Sequence, residues 1–163
     1  MQREDDLSEE VLIALRKIIH ATDLHSKQTA KHSGLTIPQI VVLKTVRELG
    51  EVTTRQISLR VSLSQATVTS VLDRLEKNGL VQRYRSLQDR RIVHTKLTRK
   101  GGAALRTAPR LLQERFLDQF ERLPVRRQKD FVSTLNRIAE MMGASDLDAA
   151  PLLAVGTIKQ SSQ

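Results

Sequence analysis

The sequence predicts a mainly α-helical fold that carries one small β-hairpin, and three observations lead to this prediction. Apolar residues recur at intervals of three and four over most of the chain, which is the spacing of one helix face. Two short segments, 80–85 and 92–97, instead alternate apolar and polar residues, as strands do. A chain of 163 residues without cysteine has to hold these elements together with an apolar core, because no disulfide is available.

The N-terminal segment, residues 1–35, is predicted to form one helix followed by a break. Apolar side chains keep the helical spacing over residues 7–32, and Ser8 or Asp6 is the expected N-cap. Gly34 then ends the pattern, because glycine accepts the left-handed conformation in which helices commonly stop.

The second helix is bounded by clear signals on both sides. Thr36 and Pro38 suit its start, and Gly50 suits its end. A shorter third helix is expected to begin at Thr53 or Thr54. The side chains expected to face the core from these two helices are Ile40, Val41, Leu43, Val46, Leu49, Ile57 and either Leu59 or Val61.

A three-residue turn over residues 61–63 separates the third helix from a fourth, which begins at Ser64. The fourth helix closes at residues 77–79, Lys-Asn-Gly, since a cation and a glycine are both favoured at a helix C-terminus. Its apolar side chains fall on one side only: Val68, Val71, Leu72 and Leu75. Two short helices across a tight turn, followed by a hairpin, form a winged helix-turn-helix.

The C-terminal part is predicted to be helical, with a tail. Helical spacing resumes at Thr98, and a kink is expected inside this helix at Pro109, because proline removes a backbone hydrogen bond. A break at residues 123–124 precedes a last helix, which ends before Gly143. Residues 144–163 show no sustained period and predict a loose tail, with a short apolar anchor at Leu152 and Leu153.

Net charge is the strongest functional signal in the composition. The chain carries 27 basic and 18 acidic residues, a net charge of +9, and residues 53–106 hold the whole excess. A basic block of this kind fits a nucleic-acid contact surface, although a solvated basic face has the same composition. The chain has one tyrosine, three phenylalanines and no tryptophan, which favours duplex DNA over bases read by stacking.

Several function classes lose support. The chain has no cysteine, no glycine-rich phosphate loop, no Gly-x-Ser-x-Gly and no His-Glu-x-x-His, so we do not expect an enzyme or a cofactor. His20, His25 and His32 lie five and seven residues apart, unlike the i, i+4 pair of a helical metal site, so no metal is expected. The sequence has no long apolar run and begins with polar, acidic residues, which predicts a cytoplasmic, nucleoid-associated protein without membrane contact.

The exposed face of the fourth helix offers short donors, acceptors and methyl groups that fit a major groove. Arg74 and Lys77 lie farther along, where contacts to phosphates position a protein without reading sequence. Capping alone would also explain Ser64 and is an equal alternative for Thr67. Tyr84 is expected to pack back on the hairpin. The predicted DNA contacts are Ser64, Gln65, Ala66, Thr67, Thr69, Ser70, Arg74, Lys77, Arg83, Arg85, Asp89, Arg90 and Arg91.

Four separated pieces of this region resemble the MarR family of bacterial transcription regulators. They are 64–69 (Ser-Gln-Ala-Thr-Val-Thr), 72–81 (Leu-Asp-Arg-Leu-Glu-Lys-Asn-Gly-Leu-Val), 89–91 (Asp-Arg-Arg) and 97–101 (Leu-Thr-Arg-Lys-Gly), and they keep both order and spacing. Ser62 departs from the family, which often has glycine in the turn.

The resemblance divides the chain into four parts. It implies an N-terminal dimerisation helix over 1–35, a DNA-binding domain over 36–100 and C-terminal dimerisation helices over 101–143, with the tail 144–163 outside the family architecture. It further implies a homodimer with interlocking helices, and a small-molecule effector bound between these helices and the DNA-binding domain.

The resemblance also assigns the tip of the hairpin. Arg91 would enter the DNA minor groove while the Asp89 carboxylate holds its guanidinium. The physics agrees, because a narrow minor groove concentrates negative potential and a carboxylate partner reduces the freedom of the arginine. Arg90 would do the same or reach a phosphate, and an ordinary solvated turn is the alternative for all three residues.

We therefore expect a homodimeric repressor that binds a pseudo-palindromic operator in duplex DNA, with half-sites about one helical turn apart. Residues 23–27 and 34–39 are similar to the branch of the family that controls compatible-solute genes, such as ectoine or betaine synthesis, which implies a role in osmotic stress. One alternative is an architectural DNA-binding protein without sequence specificity, although apolar wedges would then be expected in place of the short polar face. Another is a protein-interaction module that uses the apolar terminal helices.

Overall fold

The computed structural model describes the backbone of residues 2–144 and the side chains of residues 7–144. Within this range the predicted fold class is confirmed, since helices dominate and the sheet is small and antiparallel. No helix in this part of the chain is long and apolar enough to cross a membrane. The elements are α1 (Gln2–Ser33), α2 (Ile37–Leu49), β1 (Val52–Thr53), α3 (Thr54–Val61), α4 (Gln65–Lys77), β2 (Val81–Arg85), β3 (Val93–Leu97), α5 (Arg99–Thr107), α6 (Leu112–Phe120) and α7 (Val125–Met141).

The apolar core lies within residues 35–111, which we call the lobe. Helix α2 runs through it and is buried on nearly all sides, while α3 and α4 each contribute one face. The buried apolar side chains are Leu35, Ile40, Val41, Val42, Leu43, Val46, Val52, Ile57, Val61, Val68, Leu72, Leu75, Leu80, Val81, Leu105 and Leu111. Helices α1, α6 and α7, which we call the flanking helices, add Thr29 as their one buried residue within the described chain.

The turn between α3 and α4 forms without glycine. Ser62 adopts the left-handed conformation, with φ of 50°, and its backbone N–H donates to the Ser58 carbonyl. The Ser58 hydroxyl donates to the Leu63 carbonyl at 2.5 Å, and the Leu63 N–H returns to the Ser58 carbonyl at 3.2 Å. These three bonds stabilise a conformation that disfavours residues with a Cβ, so the departure at Ser62 leaves the fold intact.

Three expectations need correction, and each has a local cause. Helix α1 begins at Gln2, so neither Ser8 nor Asp6 is its N-cap. Leu49 was expected to face the core but is 46% exposed at the end of α2; of the two alternatives Leu59 and Val61, the structure buries Val61. Strand β1 was not predicted, because two residues are too short to show a period; it pairs with β3, which lies between β1 and β2.

Pro109 breaks the helix where a kink was expected. Ala108, the residue before the proline, is extended with ψ of 136°, and Leu111 is extended with ψ of 147°. Proline pushes the preceding residue out of the helical region, so α5 ends and α6 starts afresh. Of the predicted tail, only Ala144 is among the described residues; the anchor at Leu152 and Leu153 lies outside them.

Candidate nucleic-acid interface

Helix α4 is fixed to the lobe on one side and open to solvent on the other. Val68, Leu72 and Leu75 are fully buried beneath it. The opposite side chains are exposed along the whole helix: Gln65, Ala66, Thr67, Thr69, Ser70, Arg74 and Lys77. All the predicted contacts of this helix therefore lie on one accessible surface.

The first turn of α4 is closed by its own hydroxyl groups. The Ser64 Oγ accepts the Thr67 N–H at 3.1 Å and lies 2.8 Å from the Thr67 Oγ1, while the Thr69 hydroxyl donates to the Gln65 carbonyl at 2.8 Å. The Ser64 hydroxyl thus caps the helix, and the Thr69 hydroxyl is occupied by a backbone carbonyl of its own helix. The Gln65 amide takes part in no hydrogen bond of the described chain, which leaves its donor and acceptor available to a base edge.

The C-terminus of α4 and the start of α5 form one joint. Gly79 has a positive φ of 70°, and its backbone N–H donates to the Glu76 carbonyl. The next N–H, that of Leu80, donates to the Leu75 carbonyl, and the two bonds together form a Schellman motif. The Thr98 hydroxyl lies 2.7 Å from the Gly79 carbonyl oxygen and accepts the Gly101 N–H. The joint fixes the direction in which the chain enters β2.

We call β2, β3 and their connecting loop the wing. Its tip is held by the Ser86 Oγ, which accepts the Gln88 N–H at 3.2 Å, and by the Asp89 carboxylate, which accepts the Arg91 N–H at 2.9 Å. The predicted pairing of Asp89 with the Arg91 guanidinium is thus corrected, since no ion pair among the described residues joins the two. Asp89 shapes the tip through the backbone, and the side chains of Arg90 and Arg91 are exposed there.

Arg83 was predicted as a DNA contact, but the structure pairs it with two carboxylates of α4. Its guanidinium lies 2.7 Å from Asp73 and 2.6 Å from Glu76, and its backbone N–H donates to Glu76 at 2.9 Å. The Arg83 side chain is only 26% exposed. These contacts, which we call the wing clamp, lower the pKa of Glu76 and raise the pKa of Arg83, mainly through the hydrogen bond between their side chains.

Tyr84 packs back on the hairpin, as expected. Its ring lies 5.7 Å from the ring of His94 on β3, and the Lys96 ammonium lies 5.2 Å from its centre. A hydrogen bond to the Glu51 carboxylate raises the pKa of the Tyr84 phenol. Arg83 is held in the wing clamp, and the exposed cations that α4 and the wing present together are Arg74, Lys77, Arg85, Arg90, Arg91 and Lys96.

A second feature, at the start of α6, has no local signal in the sequence. The Leu112 N–H donates to His25 Nε2 of α1 at 3.0 Å, and Lys44 of α2 pairs with Glu114. These partners are 87 and 70 residues apart in the chain, so periodicity could not have found them. A cavity of about 310 Å³ opens beside them, lined by His25, Gln28, Thr29, His32, Pro109, Arg110 and Arg115. Within the described range, no three His, Cys, Asp or Glu side chains are grouped to hold a metal.

Comparisons with known proteins agree with this geometry. The model of the MarR family matches residues 35–93. The HTH-type transcriptional regulator YsmB of Bacillus subtilis (strain 168) is 32% identical over 108 residues, covering 66% of this chain and 74% of YsmB. The HTH-type transcriptional repressor MdtR of the same strain is 26% identical over 101 residues, covering 62% of this chain and 65% of MdtR. The structure of Bordetella bronchiseptica BpsR, whose DNA binding is regulated by 6-hydroxynicotinic acid, matches with a TM-score of 0.56 at 26% identity, covering 80% of this chain and 98% of BpsR.

Proposed function

Because the chain belongs to the MarR family and is a sequence-specific helix-turn-helix transcription regulator rather than an enzyme, we propose that it acts as a homodimeric repressor on a pseudo-palindromic operator. The name of MdtR, a repressor, supports this direction of regulation. We further propose that the regulator works in the cytoplasm on nucleoid DNA.

The observation that carries the proposal is the surface shared by α4 and the wing. Helix α4 offers the unpaired Gln65 amide at its first turn, where it would meet base edges in the major groove. Farther along, Arg74 and Lys77 would contact phosphates. The wing tip would place Arg91 in the flanking minor groove, where negative potential attracts a cation.

The homodimer is supported by the flanking helices. Neither α6 nor α7 has a buried residue, and most of the apolar side chains of α1 are exposed. Exposed apolar faces on several neighbouring helices mark an interaction surface. A second copy would cover them and present two α4 helices about one turn of DNA apart.

The proposal is tested by genomic affinity selection, with sequencing of the bound fragments. We expect a palindromic site to be enriched, and both Gln65→Ala and Arg91→Ala to weaken its binding by about 1 to 3 kcal/mol. Arg106→Ala, which removes an exposed cation of α5 that belongs to neither α4 nor the wing, is the matched control. Equal recovery of all fragments, unaffected by Gln65→Ala, would instead support an architectural protein that coats DNA.

For the effector, we propose an organic carboxylate in the cavity between α1 and α6. Arg115 and Arg110, the latter also paired with Asp118, line this cavity and supply positive charge, and no Phe, Tyr or Trp belongs to its lining. Regulation of BpsR by 6-hydroxynicotinic acid, itself a carboxylic acid, supports this ligand class. Titration with 6-hydroxynicotinic acid should release the operator, and Arg115→Ala should abolish the response while Arg137→Ala keeps it.

Osmotic-stress genes are the proposed targets, on the similarity of residues 23–27 and 34–39 to the compatible-solute branch. The +9 charge makes DNA binding steeply dependent on salt in any case. Titrations of operator binding against salt, and against glycine betaine at fixed ionic strength, separate the two signals. If betaine has no effect, the proposal of a compatible-solute ligand is left without support.

A further inference from the structure

We propose that the acidic N-terminal turns of α1 from one copy of the chain dock on the basic corner between α6 and α7 of a second copy. The acidic turns are residues 4–10, and the basic corner is residues 122–129. The inference rests on the homodimer of the proposed function and names one contact within it.

The two segments have opposite and undiluted charge. Residues 4–10 contain five acidic residues and no basic residue, and residues 122–129 contain four basic residues and no acidic residue. The acidic side chains are Glu4, Asp5, Asp6, Glu9 and Glu10, and the basic side chains are Arg122, Arg126, Arg127 and Lys129. Complementary charge of this density steers association and fixes the register of two surfaces.

The charged side chains of the two segments that the structure describes form no ion pair within the described chain. Among the described residues, no ion pair includes Glu9, Glu10 or any of the four cations of the basic corner. All six of these side chains are exposed. The nearby apolar side chains Leu7 and Val125 are also exposed, at 67% and 65%. Both segments are therefore available to another molecule.

The basic corner also offers an apolar groove to receive the helix. A depression of about 560 Å³ lies between the end of α6 and α7, lined by Phe120, Val125, Gln128, Lys129, Val132, Ser133 and Asn136. Lys129 is one of these lining residues, so a cation that can pair with an acidic side chain lies beside the apolar side chains of the groove. A helix that enters this groove would gain apolar burial and a charge contact together.

Helix α1 carries the matching pattern. Leu7 and Val11 are four residues apart and share one face, and Glu10, three residues after Leu7, lies beside them. Glu9 is two residues from both Leu7 and Val11 and falls on the opposite side of the helix. We place Leu7 and Val11 in the groove and Glu10 against Lys129. The two-fold symmetry of a homodimer would form this contact twice.

Charge reversal on each side tests the contact. Glu10→Lys and Lys129→Glu should each raise the dimer Kd about tenfold, measured by sedimentation at 100 mM salt, because exposed ion pairs are lost twice and replaced by repulsion. Glu9→Lys and Arg137→Glu are the matched controls. Both replace exposed residues, Glu9 on the far side of α1 and Arg137 two turns beyond Lys129 and turned away from the apolar stripe of α7.

Mixing the two variants is the decisive step. A mixed dimer of Glu10→Lys with Lys129→Glu restores an opposite-charge pair at both contacts, so tagged subunits should form mixed dimers in preference to either homodimer. If the double variant in one chain recovers while the mixture does not, the contact forms within a single chain and the inference is wrong. A wild-type dimer whose Kd responds equally to Glu10→Lys and Glu9→Lys also overturns it and leaves the homodimer standing. A wild-type chain that stays monomeric at every concentration removes the homodimer itself.

Discussion

The lobe and the flanking helices bury very different shares of their apolar surface. Every buried apolar side chain of the described chain belongs to the lobe, which α2 crosses with its sides almost wholly covered. Helices α6 and α7 bury no residue at all, although phenylalanine, leucine and valine recur along them at helical spacing. Both regions thus have amphipathic helices, but among the described residues only those of the lobe bury their apolar faces.

The single chain therefore contains a lobe that has its own apolar core, joined to flanking helices whose apolar faces stay exposed. The lobe gains its stability from its own core, so the surface of α4 and the wing is positioned before any second copy arrives. The flanking helices expose the kind of surface that a partner would bury.

Removal of core volume from the lobe should cost the most. Leu72 is fully buried beneath α4, so Leu72→Ala should lower the free energy of unfolding by about 2 to 5 kcal/mol, through lost burial and a residual cavity. Leu59→Ala makes the same chemical change at a side chain that is 73% exposed and should stay within about 0.5 kcal/mol. Urea unfolding measures both. Equal losses would mean that the lobe does not depend on this core.

The joint between α4 and α5 should tolerate no Cβ at Gly101. An added Cβ there would lie 2.0 Å from the Leu80 backbone oxygen, so Gly101→Ala should destabilise the protein by about 3 kcal/mol. At Gly102 the nearest atoms are 3.8 Å away, which is ordinary contact. Gly102→Ala should therefore be neutral or raise stability by up to about 1 kcal/mol, because alanine favours the helix. Matching thermal unfolding curves for the two variants would refute the close approach.

The wing should depend on its clamp more than on burial. Arg83→Met leaves Asp73 and Glu76 without their shared cation, and stability should fall by about 1 kcal/mol, with faster hydrogen exchange in β2 and β3. Arg85→Met, two residues along the same strand, removes an exposed cation and should leave stability unchanged while weakening DNA binding. If Arg83→Met instead reduces affinity and leaves exchange unchanged, Arg83 contacts DNA directly.

The smallest effect concerns acid. The pKa of Glu76 is lowered in the folded lobe, so its stabilising contribution is complete above the pKa of an unfolded glutamate and is lost as pH falls through the lowered value. Glu76→Gln should therefore flatten the loss of stability below about pH 4.3. Glu121→Gln, at an exposed glutamate outside every ion pair of the described chain, should keep the wild-type slope. If stability falls with pH in the same way for both variants, the wing clamp is not the source of the acid-dependent loss.

Local signals in the sequence were enough to predict most of the fold. Ser64 and Thr98 cap helices through their own hydroxyls, and Gly79 ends α4 with a positive φ, so short patterns were enough. Pro109 marked the position of the interruption, but a kink was expected there. The helix breaks fully because the backbone is extended at both Ala108 and Leu111. Strand β1 stayed hidden because its two residues exist as a strand only through pairing with β3.

The site was predictable as a surface and less so as a set of roles. An arginine in a basic segment has the same sequence appearance whether it faces DNA or, like Arg83, two carboxylates from a neighbouring helix. The contact of His25 with α6 and the pairing of Lys44 with Glu114 join residues far apart in the chain. Such contacts follow from the packed arrangement of helices, which no local period encodes.

The central claim is that the lobe is complete alone and that the flanking helices are completed by a second copy. Amide hydrogen exchange at two protein concentrations, above and below the dimer Kd, tests it most directly. We expect dilution to leave protection in α2 and α4 unchanged and to remove protection from α6, α7 and the N-terminal half of α1. Loss of protection in both regions together, or in neither, would contradict the account.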